Sequence, residues 1–471
     1  MEASPPTTAA GEGLWRALGE ALRGSRRDYT VGSIPSAILL LAVPMVLEFV
    51  LESVFAVVDV FVVSRLGPDA VATVGLTESL LVLVYAVAMG VSIGATALIA
   101  RRIGEKEPER AARTAVQAIA LALLLAAPVV VLGITGAERL LRLMGGSPWV
   151  LQHGVRYTQV MMGSTLSITL LFLINAIFRG AGDAAVAMRA LWLANAINCV
   201  LSPCLVLGLG PFPRLGVVGA AVATSIGRTS GVVYQFWRLS RRDGRITILR
   251  RQLHIEWSTI LQVLRLSGSA TVQMLVGMAS WVGMVRIIST FGSNALAGYT
   301  IAIRIVTFSL LPSWGLSNAA ATLVGQNLGA RQPARAERSA WLAAGFNAGF
   351  LTLVGALLLA FAPGLIHLFT TQEAVAGFGV SCLRVVSLGF GFYGVGMVMT
   401  QALNGAGDTR APTLINFGCF WVLELPLAWG LSHGARLGPL GTFLALLAAF
   451  CTVAVAGTLV FRTGRWKLQK V

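Results

Sequence analysis

Charge is scarce in this chain: only 12% of its 471 residues are Asp, Glu, Lys or Arg, roughly half the share of an ordinary soluble domain. Histidine is scarcer still, four residues with no paired spacing, which leaves a metalloenzyme without a ligand set. The five cysteines, Cys199, Cys204, Cys382, Cys419 and Cys451, all lie in apolar stretches without metal-ligand spacing and read as small buried hydrophobes. Strand-like alternation is missing, so a membrane barrel is excluded. Residues 1–30 are polar and the first apolar run is already a full span, so no cleavable leader is expected.

What is present is apolar. Hydrophobic residues make up 56% of the chain and the mean hydropathy is +0.77. They come in runs of about 20 to 30 residues, long enough to cross a hydrocarbon core of about 30 Å as helices. The expected fold is all-α and membrane-integral, with about twelve transmembrane helices. These fall near 35–65, 70–99, 112–136, 150–178, 184–208 and 216–238, then 258–288, 293–325, 336–363, 376–403, 410–432 and 438–461.

The formal charge of +16 follows topology rather than one face. Basic residues gather at Arg16, Arg23, Arg26 and Arg27, then in 101–113, 238–251 and 331–338, and after Arg462. The alternate loops carry few: Arg65, Arg139, Arg142, Arg214 and Arg436. This is the positive-inside pattern and predicts cytoplasmic termini, with no nucleic-acid partner. Segment 12–23, with Leu14, Trp15, Leu18 and Leu22 at helical spacing, fits either a short interfacial helix or a disordered tail.

The chain repeats itself. Gly94-Ala-Thr-Ala-Leu-Ile-Ala-Arg-Arg-Ile-Gly104-Glu-Lys-Glu-Pro108 parallels Ala319-Ala-Ala-Thr-Leu-Val-Gly-Gln-Asn-Leu-Gly329-Ala-Arg-Gln-Pro333 at an offset of 225. The same offset carries Ser64 and Gly67 to Ser289 and Gly292, and Gly180-Ala-Gly-Asp183 to Gly405-Ala-Gly-Asp408. An even number of spans per copy gives both copies one orientation. They form a parallel repeat about an axis along the membrane normal, with the substrate path between them. The expected organisation is a cytoplasmic N-terminal segment 1–33, an N-lobe 34–238, a basic cytoplasmic linker 239–256, a C-lobe 257–461 and a cytoplasmic tail 462–471. Pro44, Pro128, Pro203, Pro312 and Pro426 lie inside spans and favour kinks.

Ionisable groups inside a bilayer are costly and usually functional. The acids deep within spans are Glu48, Glu52, Asp59, Glu78 and Glu424. On helix 1, Glu52 lies about 40° and Asp59 about 20° from Glu48, so the three form one stripe about 16 Å long. Such a stripe must face a hydrated cavity or fixed partners. Depth along consecutive helices puts Asp59 and Glu78 in one slab of the membrane. Two carboxylates there bind a proton or share a cation, the behaviour of a coupling site. At the offset of 225, Glu48, Glu52 and Asp59 become Gln273, Gly277 and Met284, which assigns the coupling to the first half alone. Glu424 stands isolated before Pro426, open to either a cavity role or local bonding at the kink. Arg304 is open to pairing with a carboxylate or to snorkelling, like Arg265, Arg286 and Arg384. Trp281 and Trp314, with Trp192, Trp421 and Trp429, are candidates to face an apolar substrate cavity.

Helix 1, from Ala42-Val-Pro-Met-Val-Leu-Glu48 through Asp59 to Ser64-Arg-Leu-Gly67, resembles that of the multidrug and toxic compound extrusion (MATE) family. So do Asn175 through Arg179-Gly-Ala-Gly-Asp183, and Leu323-Val-Gly-Gln-Asn-Leu-Gly-Ala330. The resemblance runs from about residue 34 to 461 and implies a V-shaped pair of lobes with alternating access. It implies export of amphipathic, often cationic small molecules against inward H⁺ or Na⁺, with no cofactor. The first-lobe ion site of such transporters would be matched by Asp59, by Asn175, by Asn198 and by Thr224. The family's Asn-x-x-x-Asp on helix 5 reads Asn198-Cys-Val-Leu-Ser202 here, so a second acid is replaced by Ser, and Glu52 or Glu78 is the candidate substitute. A monomer in a prokaryotic-type plasma membrane is expected. The rivals are a lipid-linked saccharide flippase, which needs a cationic cavity, and an intramembrane aspartyl protease. The Gly-x-Gly-Asp motif suggests the protease, but its Tyr-Asp partner is missing from the chain.

Overall fold

The computed structural model describes residues 10–25, 27–242 and 244–469, apart from the side chains of residues 10–14, 56, 57 and 60. Residues 1–9, Arg26, residues 470–471 and the Leu14 side chain, all used above, lie outside what is described. Among the described residues the regular structure is entirely helical. After α1 (Ala10–Arg23), the first set comprises α2 (Ile34–Ser64), α3 (Pro68–Gly104), α4 (Pro108–Leu143), α5 (Val155–Gly163), α6 (Thr165–Ala181), α7 (Ala184–Leu207) and α8 (Val217–Ser240). The second comprises α9 (Trp257–Ser289), α10 (Ser293–Gly329), α11 (Pro333–His367), α12 (Glu373–Ser387), α13 (Phe390–Gly405), α14 (Arg410–Asn416), α15 (Leu425–Trp429) and α16 (Pro439–Arg462).

Ten helical stretches are long and apolar enough to span a membrane, and the pair α12–α13, bent by 56°, makes an eleventh. The twelfth is α8, whose 24 residues are long enough but diluted by Thr, Ser, Gln and Arg228. One span read from the sequence as continuous is bent, between α12 and α13 at Leu388–Gly389, while α5 and α6 are parted only by a turn at Ser164 and remain one span. Gly163-Ser164 and Gly389 explain the turn and the bend, since Gly is a poor helix former and such pairs are common kink sites.

The repeat is visible in the backbone. Pro68–Gly104 and Ser293–Gly329 have equal lengths of 37 residues. Each is preceded by a glycine in nearly the same left-handed conformation, Gly67 at φ 101° and Gly292 at φ 96°. Lys106 and Arg331, 225 apart, share the rarer positive φ of non-glycine residues, 62° and 58°. Within each set the same close approach recurs: a Cβ on Gly180 would sit 3.0 Å from the Thr96 carbonyl oxygen, and one on Gly405 would sit 2.2 Å from that of Ala321. Small residues let these backbones meet where lipid supplies no hydrophobic drive.

Between the sets, α2 packs on α10 and α9 on α3, one pairing repeated across a pseudo-twofold axis. Where α3 crosses α10, a Cβ on Gly104 would meet the Gln326 carbonyl oxygen at 2.0 Å, and one on Gly329 would meet that of Arg101 at 2.1 Å. Nothing larger than glycine fits at either place. Further contacts follow at Gly94 with Ser267, Gly90 with Thr271 and Gly315 with Met45–Val46. All lie in the half of the molecule that carries α1 and the end of α16. Beyond Phe49 and Trp314, toward the opposite end, Val50, Val54 and Phe61 of α2 and Phe308 of α10 stand exposed, so the glycine-packed end is the closed one.

The chain ahead of α2 lies across the closed end. Lys106 pairs with Asp28, Arg245 donates to the Ser25 carbonyl at 2.9 Å, and Arg335 donates to that of Val31 at 3.0 Å. Burial alone would lift the Asp28 acid. Hydrogen bonds from Lys106 and Thr30 outweigh it and hold the group down at about 2.

Candidate functional site

The stripe on α2 faces inward onto α6 and α7. One turn of α6 separates Asn175 from Arg179, and both side chains reach Glu48: Asn175 Nδ2 donates to Oε1 at 3.0 Å and Arg179 Nη1 at 2.8 Å. Asn175 Oδ1 in turn accepts from Gln235 Nε2 of α8 at 2.6 Å. Glu48 is 3% exposed, and its Oε2 has no hydrogen-bond partner among the described residues. A buried carboxylate half-satisfied in this way is held mainly by its guanidinium.

α2 and α7 run side by side in the same direction, and their polar residues match in step. Asn195 Nδ2 donates to Glu52 Oε2 at 3.1 Å, and seven residues on, Ser202 Oγ donates to Asp59 Oδ1 at 3.5 Å. Seven residues are about two turns, or 10.5 Å. Asp59 therefore sits in a second cluster, farther from the closed end. There Asn198 Nδ2 donates to Thr224 Oγ1 at 2.8 Å, and Arg228 Nη2 donates to the Tyr85 hydroxyl at 3.1 Å. Glu78, exposed on α3, and Arg228 are both within electrostatic range of Asp59. Arg304 of α10 is within range of Glu78.

The residues singled out from the sequence thus divide. Asp59, Ser202, Asn198, Thr224 and Glu78 gather in the outer cluster, whereas Asn175 belongs to Glu48 and does not touch Asp59. Asn175 shares the level of Glu48, about 16 Å along α2 from Asp59 and near the closed end, which separates it from a site centred on Asp59. Five participants were missed: Arg179, Gln235, Asn195, Arg228 and Tyr85. Arg228 carried a signal, a charge in the middle of a span, which a count of acids alone passes over.

Between the lobes lies a cavity of about 880 Å³, including space open to bulk, walled by Glu48, Glu52, Asn175 and Arg179 on one side and by Met274, Trp314, Gln401 and Asn404 on the other. A second cavity of about 490 Å³ shares Met274, Trp314 and Gln401 and extends into the second lobe past Gln273, Tyr393 and Asn416. Trp314 meets Phe49 edge-on across the lobes at 6.4 Å between ring centres. Of Trp192, Trp281, Trp314, Trp421, Trp429, Arg304 and Glu424, Trp314 alone lines these cavities. Trp281 is 55% exposed on α9, Arg304 is within electrostatic range of Glu78, and Glu424 is buried inside the second lobe. Glu424 makes no hydrogen bond or ion pair among the described residues. No group of His, Cys, Asp and Glu among the described residues has the makings of a metal site.

A duplicated helical membrane protein with a largely apolar cavity carrying a few charged groups between its lobes has the build of a secondary transporter, not an enzyme. The sequence model of the MatE family matches twice, over residues 44–204 and 269–429, two segments 225 apart. The chain belongs to this family. It is 27% identical to the probable multidrug resistance protein YoeA of Bacillus subtilis, over 89% of this chain and 91% of that protein. It is 27% identical to the FAD transporter of Shewanella oneidensis, over 79% and 83% of the two. A MOP-superfamily transporter from Pyrococcus furiosus, described as having a binding pocket of reversed polarity, superposes with a TM-score of 0.87 at 26% identity, covering 96% of this chain and 98% of that one.

Proposed function

We propose that this protein is a cation-coupled antiporter that exports amphipathic, cationic small molecules by alternating access. The observation that carries the reading is the charge of the inter-lobe cavity. Two carboxylates line it, Glu48 and Glu52, with one guanidinium, Arg179, already bound to Glu48. One negative charge is left beside the apolar faces of Phe49, Met274 and Trp314, suited to an organic cation. In the same reading the termini are cytoplasmic, so the open end faces outward, and Asp59 is the coupling carboxylate, loaded and emptied in each cycle. Both cavity walls come from one chain, which suits a working monomer. One charge crossing 100 mV supplies about 2.3 kcal/mol, close to fifty-fold in accumulation.

An anionic cargo is the second reading, raised by the FAD transporter among the relatives. It needs a free cation in the cavity, as would a lipid-linked saccharide, and Arg179 is not free. Proteoliposomes given an imposed pH or Na⁺ gradient should move tetraphenylphosphonium and not FAD. E52Q, which removes the residual charge, should weaken tetraphenylphosphonium transport at least about tenfold. Gradient-driven FAD movement without tetraphenylphosphonium movement would reverse the assignment.

A further inference from the structure

Arg228 lies among carboxylates that do not hold it. Its guanidinium is permanently charged and offers five N–H donors and no acceptor. Nη2 bonds to the Tyr85 hydroxyl at 3.1 Å, while Nη1 is buried with no acceptor among the described residues. The Tyr85 ring is fixed edge-on to Phe172 at 5.9 Å. Around the guanidinium stand Glu52 and Asp59 of α2 and Glu78 of α3, all within electrostatic range. The other titratable groups facing the cluster are Tyr157 of α5, Cys199 of α7 and, through Glu78, Arg304 of α10. Arg228 cannot retreat toward α7, because α8 is pressed against it there: a Cβ on Gly227 would sit 2.4 Å from the Ala194 carbonyl oxygen.

We propose that Arg228 is a tethered counter-cation that makes the Asp59 cluster selective for protons over sodium. The proposal rests on the reading of Asp59 as the coupling carboxylate. When Asp59 and Glu78 are ionised, the guanidinium moves from Tyr85 onto Asp59 and offsets one of the two negative charges, while Arg304 stays within electrostatic range of Glu78. A proton added to a carboxylate oxygen removes the negative charge that holds Arg228, which returns to Tyr85. The proton leaves from the same oxygen on the other side of the membrane. Sodium offers no such exchange. It leaves the carboxylate charged, so the guanidinium is still drawn there, and sodium must compete with that tethered cation for the same oxygens. It also needs a shell of several oxygens, and supply is short: position 202 offers a hydroxyl in place of a carboxylate, and Thr224 Oγ1 is already engaged by Asn198 at 2.8 Å. Arg228 is a positioning residue for ion choice and need not touch the exported compound.

The test is binding of ²²Na⁺ to the purified full-length chain in detergent at alkaline pH, beside tetraphenylphosphonium uptake under pH or Na⁺ gradients. Wild type should bind no saturable sodium and respond to the pH gradient alone. R228M should gain saturable ²²Na⁺ binding, lost again in R228M/D59N, with its sodium-to-proton drive ratio raised at least tenfold. R228K, which keeps the charge, should stay proton-selective. Asp59-dependent sodium binding by wild type overturns the proposal, as does a folded R228M that gains none. If R228M fails to fold, the wild-type sodium measurement and R228K decide. A D59N protein with unchanged gradient-driven uptake would remove the coupling site itself, a different failure that leaves the sodium measurement readable.

Discussion

The two lobes share a scaffold and differ in chemistry. Helix lengths, glycine conformations and close backbone approaches repeat at one offset, down to the pair Gly104 and Gly329 on the axis. Ionisable side chains inside the spans do not repeat. Where the first lobe has Glu48, Glu52 and Asp59, the second has Gln273, Gly277 and Met284; where the first has Arg179, the second has Asn404. From Pro439 through Phe461 no residue is charged, whereas α8 carries Arg228. The difference teaches that neither the acids nor their arginines are needed to build six helices of this kind. They are local additions to one copy, each costly in a membrane and retained beside a cavity or a partner. The second lobe departs in backbone instead: the region opposite α7 has two π-helical stretches, Phe417–Glu424 and Gly430–Gly434, a form frequent at functional sites.

This contrast can be broken most sharply at the ion pair of the first lobe. R179M leaves Glu48 buried without its cation and should cost about 3–5 kcal/mol, whereas the matching N404L should cost far less; thermal unfolding in detergent measures both. E48Q/R179M should recover most of the loss, since no buried charge then stands alone. Next come the axial glycines. G104A and G329A each force a Cβ to within about 2 Å of a carbonyl oxygen, so both should loosen the closed end and slow transport to a similar degree. Unequal effects would show that the scaffold is less symmetric than its backbone. The smallest effect is in the segment ahead of α2. The Asp28 acid is held at about 2, below its unfolded value of about 3.9. Its contribution is therefore complete above roughly pH 4 and lost as pH falls through about 2. The side chain is 38% exposed, so solvent screening limits D28N to no more than about 1 kcal/mol at neutral pH, read as a small drop in unfolding temperature.

Much of this was legible in the sequence, for definable reasons. Hydropathy and the offset repeat reveal spans and lobes because lipid dictates composition over whole helices. The face of α2 was readable because 100° per residue fixes which side chains share a side. Partners across helices were not. That Glu48 meets Arg179 and Asn175, and that Asp59 meets Ser202, depends on the crossing and relative height of α2, α6 and α7, which no local spacing encodes. Asn175 was grouped with Asp59 through family likeness, and the vertical offset between the helices parted them. The turn at Ser164 and the bend at Gly389 also escaped, because apolar runs continue across them.

The central claim is that coupling resides in the first lobe, and two isosteric changes weigh it directly. D59N and E424Q each neutralise one acid within a span, in opposite lobes, with little change of volume. In proteoliposomes under an imposed ion gradient, D59N should abolish gradient-driven tetraphenylphosphonium transport while E424Q keeps most of it. Transport that survives D59N and is lost in E424Q would place the coupling in the second lobe and contradict the account.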